Sequence, residues 1–157
     1  MEIFLFLLYQ INAIMTKAKS TIGRLFNTYI VDALSFMAMG LFCSLILGLI
    51  IKQIALIPGL DFLMDIAAVL QSAPVVGGSI GLAIALGLKR APLVTISAVA
   101  VGALGYQFGG PVGAYLASIV GVEAGSLVSK RTPVDIIITP LVAVVAGGLF
   151  AYMSRRR

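Results

Sequence analysis

The sequence predicts an all-α integral membrane protein of about five transmembrane helices, some of them broken or kinked, with an N-terminal interfacial helix ahead of them. Three observations carry this expectation. Hydrophobic residues make up 61% of the 157 and charged residues 11%, with a mean hydropathy of +1.12, far outside the composition of a soluble globular domain. The apolar residues come in runs near the roughly 20 residues that a spanning helix needs. Basic residues stand singly or in short groups between those runs, which is the pattern of topology signals and not of a nucleic-acid-binding face, despite a net charge of +5.

The same composition removes several function classes. There is no histidine, so His-based acid/base catalysis, a phosphohistidine and the usual zinc and haem spacings are absent. Cys43 is the one cysteine and sits in an apolar run, where it reads as a packed residue. No metal and no cofactor is expected. The length leaves room for spans and little else, so no soluble catalytic domain is expected.

Met1 to Met15 is apolar but interrupted by Glu2, Gln10 and Asn12, and is marginal in length for a crossing. Glu2 in front and Lys17 and Lys19 behind are the wrong flanks for a signal peptide. Thr16 to Asn27 is polar and basic, with Ile22, Leu25 and Phe26 on one helical face at headgroup level. Residues 1–28 are therefore read as an N-terminal interfacial or cytoplasmic segment, 29–153 as a transmembrane permease-like domain and 154–157 as a basic tail.

The first span runs from about Tyr29 to Ile51, with Asp32 in its first turn, where the helix dipole favours a carboxylate. Pro58, Gly59, Asp61 and Asp65 mark the connection that follows as a solvated turn. The second span, about Met64 to Leu88, holds Gln71, Ser72, Pro74, Gly77 and Gly78. Pro74 removes the bond to the Leu70 carbonyl, which predicts a break or kink near Pro74. Lys89-Arg90-Ala91-Pro92-Leu93 and Lys130-Arg131-Thr132-Pro133-Val134 are similar helix starts, a basic pair followed by a proline whose missing donor costs nothing at the first position.

Spans three (about Pro92 to Phe108) and four (about Pro111 to Ser129) are joined by the uncharged turn Gln107-Phe108-Gly109-Gly110-Pro111, which predicts a tight antiparallel hairpin. Gly113, Ala117, Gly121 and Gly125 repeat every fourth position on span four, an extended small-residue stripe for helix packing. Glu123 lies in the same span about six residues from its basic end, hence roughly 9 Å deep. Ionised and alone at that depth it would cost up to roughly 3 kcal/mol, so it is expected to be paired, protonated or facing water. The last span, about Pro133 to Met153, has Asp135 in its first turn, beside Lys130 and Arg131, and Pro140 at mid-depth as a second helix break.

With the Lys17 to Arg24 segment in the cytoplasm, four boundaries obey the positive-inside rule, and the fifth leaves Arg155, Arg156 and Arg157 outside. Either the last segment turns back at Pro140 or the chain is one half of a larger arrangement. The residues MAMGLFCSLILGLIIKQI (37–54), AAVLQSAPVVGGSIGLAIAL (67–86), GGPVGAYLASIVGVEAGSLVS (109–129) and TPVDIIITPLVAVVAGGLFAY (132–152) resemble the N-terminal half of the EIIC-like family of phosphotransferase-system (PTS) membrane subunits. The resemblance implies a permease subunit of the bacterial inner membrane, multi-pass, that passes a sugar or related solute with phosphate supplied by separate soluble subunits.

The expected mechanism is alternating access, with solute near the breaks at Pro74 and Pro140 and a path lined by Gln71, Ser72, Gln107, Glu123 and Thr139. Half a permease would act as a homodimer, antiparallel arrangements included, or with a separately encoded second-half subunit. The alternative is a non-transporting membrane scaffold or regulatory subunit whose glycine stripe packs with partner helices. An intramembrane enzyme is the weakest reading, because Ser79, Ser97 and Ser126 have no histidine to activate them.

Overall fold

The computed structural model describes residues 2–129 and 135–156, with side chains from Tyr9 to Ser129 and from Ile136 to Arg156. The Lys130 to Val134 helix start and the placement of Asp135 beside Lys130 and Arg131 lie outside the described residues. The elements are α1 (Glu2–Phe26), α2 (Ala33–Leu41), α3 (Leu47–Ile54), α4 (Phe62–Leu70), α5 (Ala73–Gly87), α6 (Pro92–Val128) and α7 (Asp135–Arg155), with no strand among the described residues.

Two π-helical stretches, Asn27–Asp32 and Phe42–Ile46, join α1, α2 and α3 without interrupting the helix. Nothing in this stretch stops a helix: the first proline of the chain is Pro58, and lysine, arginine and leucine are good helix formers. The N-terminal segment and the first span are therefore one continuous rod. It ends in a tight turn at Ile57–Leu60, where Pro58 and Gly59 (φ 93°) take the two central positions of a type II turn and the Leu60 N–H donates to the Ile57 carbonyl at 3.2 Å.

α4 and α5 meet at a bend of 51°. The break falls at Gln71 and Ser72, the latter in extended conformation (ψ 145°), so Pro74 occupies the second position of α5, where its missing N–H breaks no helical bond. α5 ends in a Schellman cap: the Arg90 N–H donates to the Ala85 carbonyl at 3.2 Å and the Lys89 N–H to the Leu86 carbonyl at 3.0 Å. Lys89 takes the left-handed position (φ 52°), which usually falls to glycine.

α6 folds back on itself. Gly109 (φ −146°, ψ 18°) and Gly110 (φ 61°, ψ −152°) leave helical geometry, and Pro111 restarts it. A Cβ on Gly105 would lie 2.6 Å from the Gly113 carbonyl oxygen, a contact possible only if 92–108 and 111–128 are antiparallel arms. By helix rise each arm reaches about 26 Å, near the lower limit for a crossing. α5 packs antiparallel on the first arm, where Gly77 and Gly81 meet Gly102 and Ala98, and α7 packs antiparallel on the second, where Gly147 and Ala143 meet Gly121. α7 runs unbroken through Pro140, where a break was expected. A proline in an early turn of a packed membrane helix is tolerated when neighbours satisfy the freed carbonyl. The last segment therefore does not turn back.

Among the described residues, three helices are long and apolar enough to cross a membrane, and the bent α4–α5 pair makes a fourth if it acts as one span. The expected number of about five is reached only by counting the two arms of α6 separately. The interior is built from small and β-branched residues, Ala33, Val76, Ile80, Ala98, Val101, Ala117, Val122 and Ala143 among them. Large side chains such as Ile96, Leu127 and Ile136 point outward, as expected where the surroundings are lipid.

Two substitutions test this account of the backbone by chemical unfolding in detergent. Gly110→Ala forces a side chain into a conformation open essentially to glycine alone and lowers stability by about 1–3 kcal/mol. Lys89→Gly relieves the left-handed cap and raises stability by about 0.5–1 kcal/mol.

Candidate functional site

Glu123 lies on the second arm of α6, and the fold brings two residues to it that are remote in sequence. Arg90 closes the Schellman cap with its own N–H, so the left-handed turn at Lys89 sets where its side chain departs. Tyr29 lies in the π-helical stretch Asn27–Asp32. The Arg90 Nη2 forms an ion pair with Glu123 Oε1, and the Tyr29 hydroxyl donates to the same oxygen at 2.7 Å. Arg90 Nη2 is also 3.5 Å from the Tyr29 hydroxyl oxygen, which closes a three-membered polar cluster. Close charge-assisted bonds are what a carboxylate needs in an apolar span.

A fourth group fixes the cluster from behind. In the π register the Ala33 N–H donates to the Thr28 carbonyl rather than to that of Tyr29, and the Tyr115 hydroxyl, on the second arm, donates to the Tyr29 carbonyl. Tyr115 and Glu123 stand two turns apart on one helix and hold the main chain and side chain of the same residue. The Arg90 and Glu123 side chains remain 28% and 33% exposed, so the cluster is reachable from outside the packed core. Arg90 Nε is buried with no partner among the described residues. The arrangement offers a hydrogen-bond acceptor at Glu123 and donors at Arg90 and Tyr29, the chemistry that holds a polyhydroxyl solute.

The other residues expected on the path divide between the two ends of the bundle. Gln71 and Ser72 form the α4–α5 break. The Gln71 side chain lies against Gly48 with its Nε2 buried and without a partner among the described residues, and the Ser72 hydroxyl donates to the Val69 carbonyl at 2.7 Å instead of capping α5. Because Gly77 meets Gly102 and Tyr106 across the interface, the antiparallel register puts this break at the same end as Gln107, which is exposed beside the hairpin turn. Thr139 is fully buried on α7. Its helix neighbour Ala143 packs on Gly125, so Thr139 belongs with Glu123 at the other end. Glu123 and Gln107 are separated by roughly 15 Å along the arm. The five are thus not one constellation.

Gly113, Ala117, Gly121 and Gly125 are consumed within the chain. Gly113 abuts Gly105, Ala117 is buried between the arms and α7, Gly121 meets Val101 and the Ala143 carbonyl, and Gly125 meets Val94 and Ala143. Tyr29 and Arg90 are the site residues that reading the sequence misses. Arg90 reads as half of a topology signal and Tyr29 as the start of an apolar run. The available signal was the carboxylate itself, which at that depth calls for a partner, a proton or water.

The family model described as "Phosphotransferase system, EIIC" matches residues 31–156, a range that holds Arg90 and Glu123 and begins just after Tyr29. Comparisons with curated proteins and with solved structures give no match.

A double-mutant cycle tests the ion pair. Arg90→Gln and Glu123→Gln each lower unfolding free energy by about 1–2 kcal/mol, the low end being set by the partial exposure of both groups. The double variant recovers about 0.5–1 kcal/mol relative to the sum. Strict additivity would mean that the two charges do not stabilise each other.

Proposed function

Because the chain belongs to the EIIC family of the phosphotransferase system, we propose that it is the membrane component through which a sugar or related small solute crosses the bacterial inner membrane. The family match over most of the chain carries this reading. The geometry supports it in two ways. Polar groups occur at both ends of an otherwise apolar bundle, and the helix path is broken between α4 and α5 where one of those groups of residues lies.

At one end Gln71, Ser72 and Gln107 would meet the solute. The Gln71 Nε2, buried against Gly48 without a partner among the described residues, is a donor in need of an acceptor. At the other end Glu123 and Thr139 would meet it, joined by Arg90 and Tyr29. In this mechanism a solute hydroxyl replaces the Tyr29 hydroxyl on Glu123 Oε1, exchanging one donor for another with no unpaired charge left behind. Releasing Tyr29 loosens the junction between α1 and α2 from the second arm, which couples solute binding to movement of the first rod. Phosphorylation of the solute would fall to separate soluble components. A bundle this small is proposed to work with a second copy or a second-half subunit.

The alternative of a scaffold that packs partner helices on its glycine stripe has less support, because that stripe is already filled by the chain's own helices. Solute uptake into liposomes containing the purified protein, with any partner subunit present, tests the proposal. Glu123→Gln lowers uptake at least tenfold and Gln71→Ala several-fold, with both variants still folded. If both transport normally, the proposed lining is wrong.

A further inference from the structure

α1 stands apart from the bundle, and its chemistry points to a partner that is neither the solute nor another protein. Every residue from Tyr9 to Phe26 is exposed, and the substantial packing of α1 is with the Asn27–Asp32 stretch that continues it. Ile11, Met15, Ala18, Ile22 and Leu25 recur in alternating steps of four and three. With Ile14 and Phe26 they fall within an arc of about 120° on a helix of 3.6 residues per turn. Met15 and Ile22 are each 66% exposed, an apolar stripe with nothing on it. Lys19 borders the stripe on one side, and Lys17 and Arg24 lie beyond it on the other.

Length makes the present straight path untenable as a crossing. Tyr9–Ile54 is 46 residues, about 69 Å by helix rise, against a hydrocarbon layer of about 30 Å. The polar face of Lys17, Ser20, Arg24 and Asn27 does not belong in hydrocarbon, and the apolar stripe does not belong in water. Only the boundary between them accommodates both faces. Charge then selects the boundary. From Gln10 to Val31 there are three cations and no carboxylate, so two copies of α1 would repel each other, whereas an anionic leaflet attracts each cation.

We propose that α1 binds the surface of an anionic phospholipid membrane, its Ile11–Leu25 stripe among the acyl chains and its lysines at the phosphates, with the rod bending at the π-helical stretch Asn27–Asp32. π-helical turns are established sites of helix bending. This assignment concerns residues ahead of the family match and stands independently of the proposed solute path.

Nitroxide labels on the full chain, in a Cys43→Ser background, test it. Met15→Cys and Ser20→Cys are compared in nanodiscs of mixed phosphatidylglycerol and phosphatidylcholine and in phosphatidylcholine alone. In anionic discs the Met15 label collides preferentially with oxygen and the Ser20 label with a water-soluble nickel chelate. That contrast shrinks several-fold in phosphatidylcholine and in the Lys17→Gln/Lys19→Gln/Arg24→Gln variant. A label pair at positions 15 and 53 reads the bend, since the straight rod predicts about 57 Å and the docked helix a shorter distance. Equal water exposure of both single labels in anionic discs overturns the proposal. So does a retained straight-rod distance, or dipolar broadening at Met15 that marks pairing with a second copy.

Discussion

Backbone-to-backbone approach between helices is the constraint on which this bundle depends. Lipid tails are as apolar as leucine, so burying large apolar side chains between helices gains little, and association rests on close packing and hydrogen bonds. The chain meets this with small residues at each crossing. A Cβ on Gly40 would sit 2.7 Å from the Ser79 carbonyl oxygen, and one on Gly121 would sit 2.8 Å from that of Ala143. Side chains are absent where backbones touch, and each contact adds only about 0.1–0.2 kcal/mol per atom pair. Extended contact along the helices makes the sum large. It also explains why the buried residues are alanine, serine, valine and isoleucine, while phenylalanine and methionine lie mostly at the surface.

The polar cluster follows from this packing. Arg90 and Glu123 are 33 residues apart and meet because α5 lies against α6 and α6 doubles back over itself. Had the hairpin opened by a turn, the carboxylate would have no cation at its depth. The pair leaves the cluster formally neutral, which is the least costly way to keep ionisable groups in an apolar bundle. Its partial exposure makes it suited to exchange partners, unlike Ser118, whose hydroxyl is buried without a partner among the described residues.

Much of the fold was legible in the sequence, for identifiable reasons. Composition decided the membrane class because a soluble chain cannot carry so few charges. The hairpin was legible because Gly109-Gly110-Pro111 couples two permissive residues to a helix-starting proline, and Pro92 opens α6 as its position after a basic pair suggested. Proline rules divided inside the spans: the second span breaks at Gln71 and Ser72, directly ahead of Pro74, whereas Pro140 leaves α7 intact, since neighbouring helices decide whether a freed carbonyl finds a donor. The continuity of α1 with the first span was illegible because the polar residues between Thr16 and Asn27 read as a boundary, although nothing there opposes a helix. The partners of Glu123 depend on tertiary path alone, and no local spacing encodes them.

α1 leaves the bundle at the Arg90 end, whereas α7 finishes at the hairpin turn, where the Phe108 ring meets Tyr152 edge-on at 6.4 Å and the Arg155 guanidinium lies 5.8 Å above Phe108. α1 and the end of α7 therefore lie at opposite ends of the bundle. In a head-to-tail tandem of two copies joined by a short linker, the second bundle would stand upside down beside the first, which is the arrangement that inverted-repeat transporters build within one polypeptide.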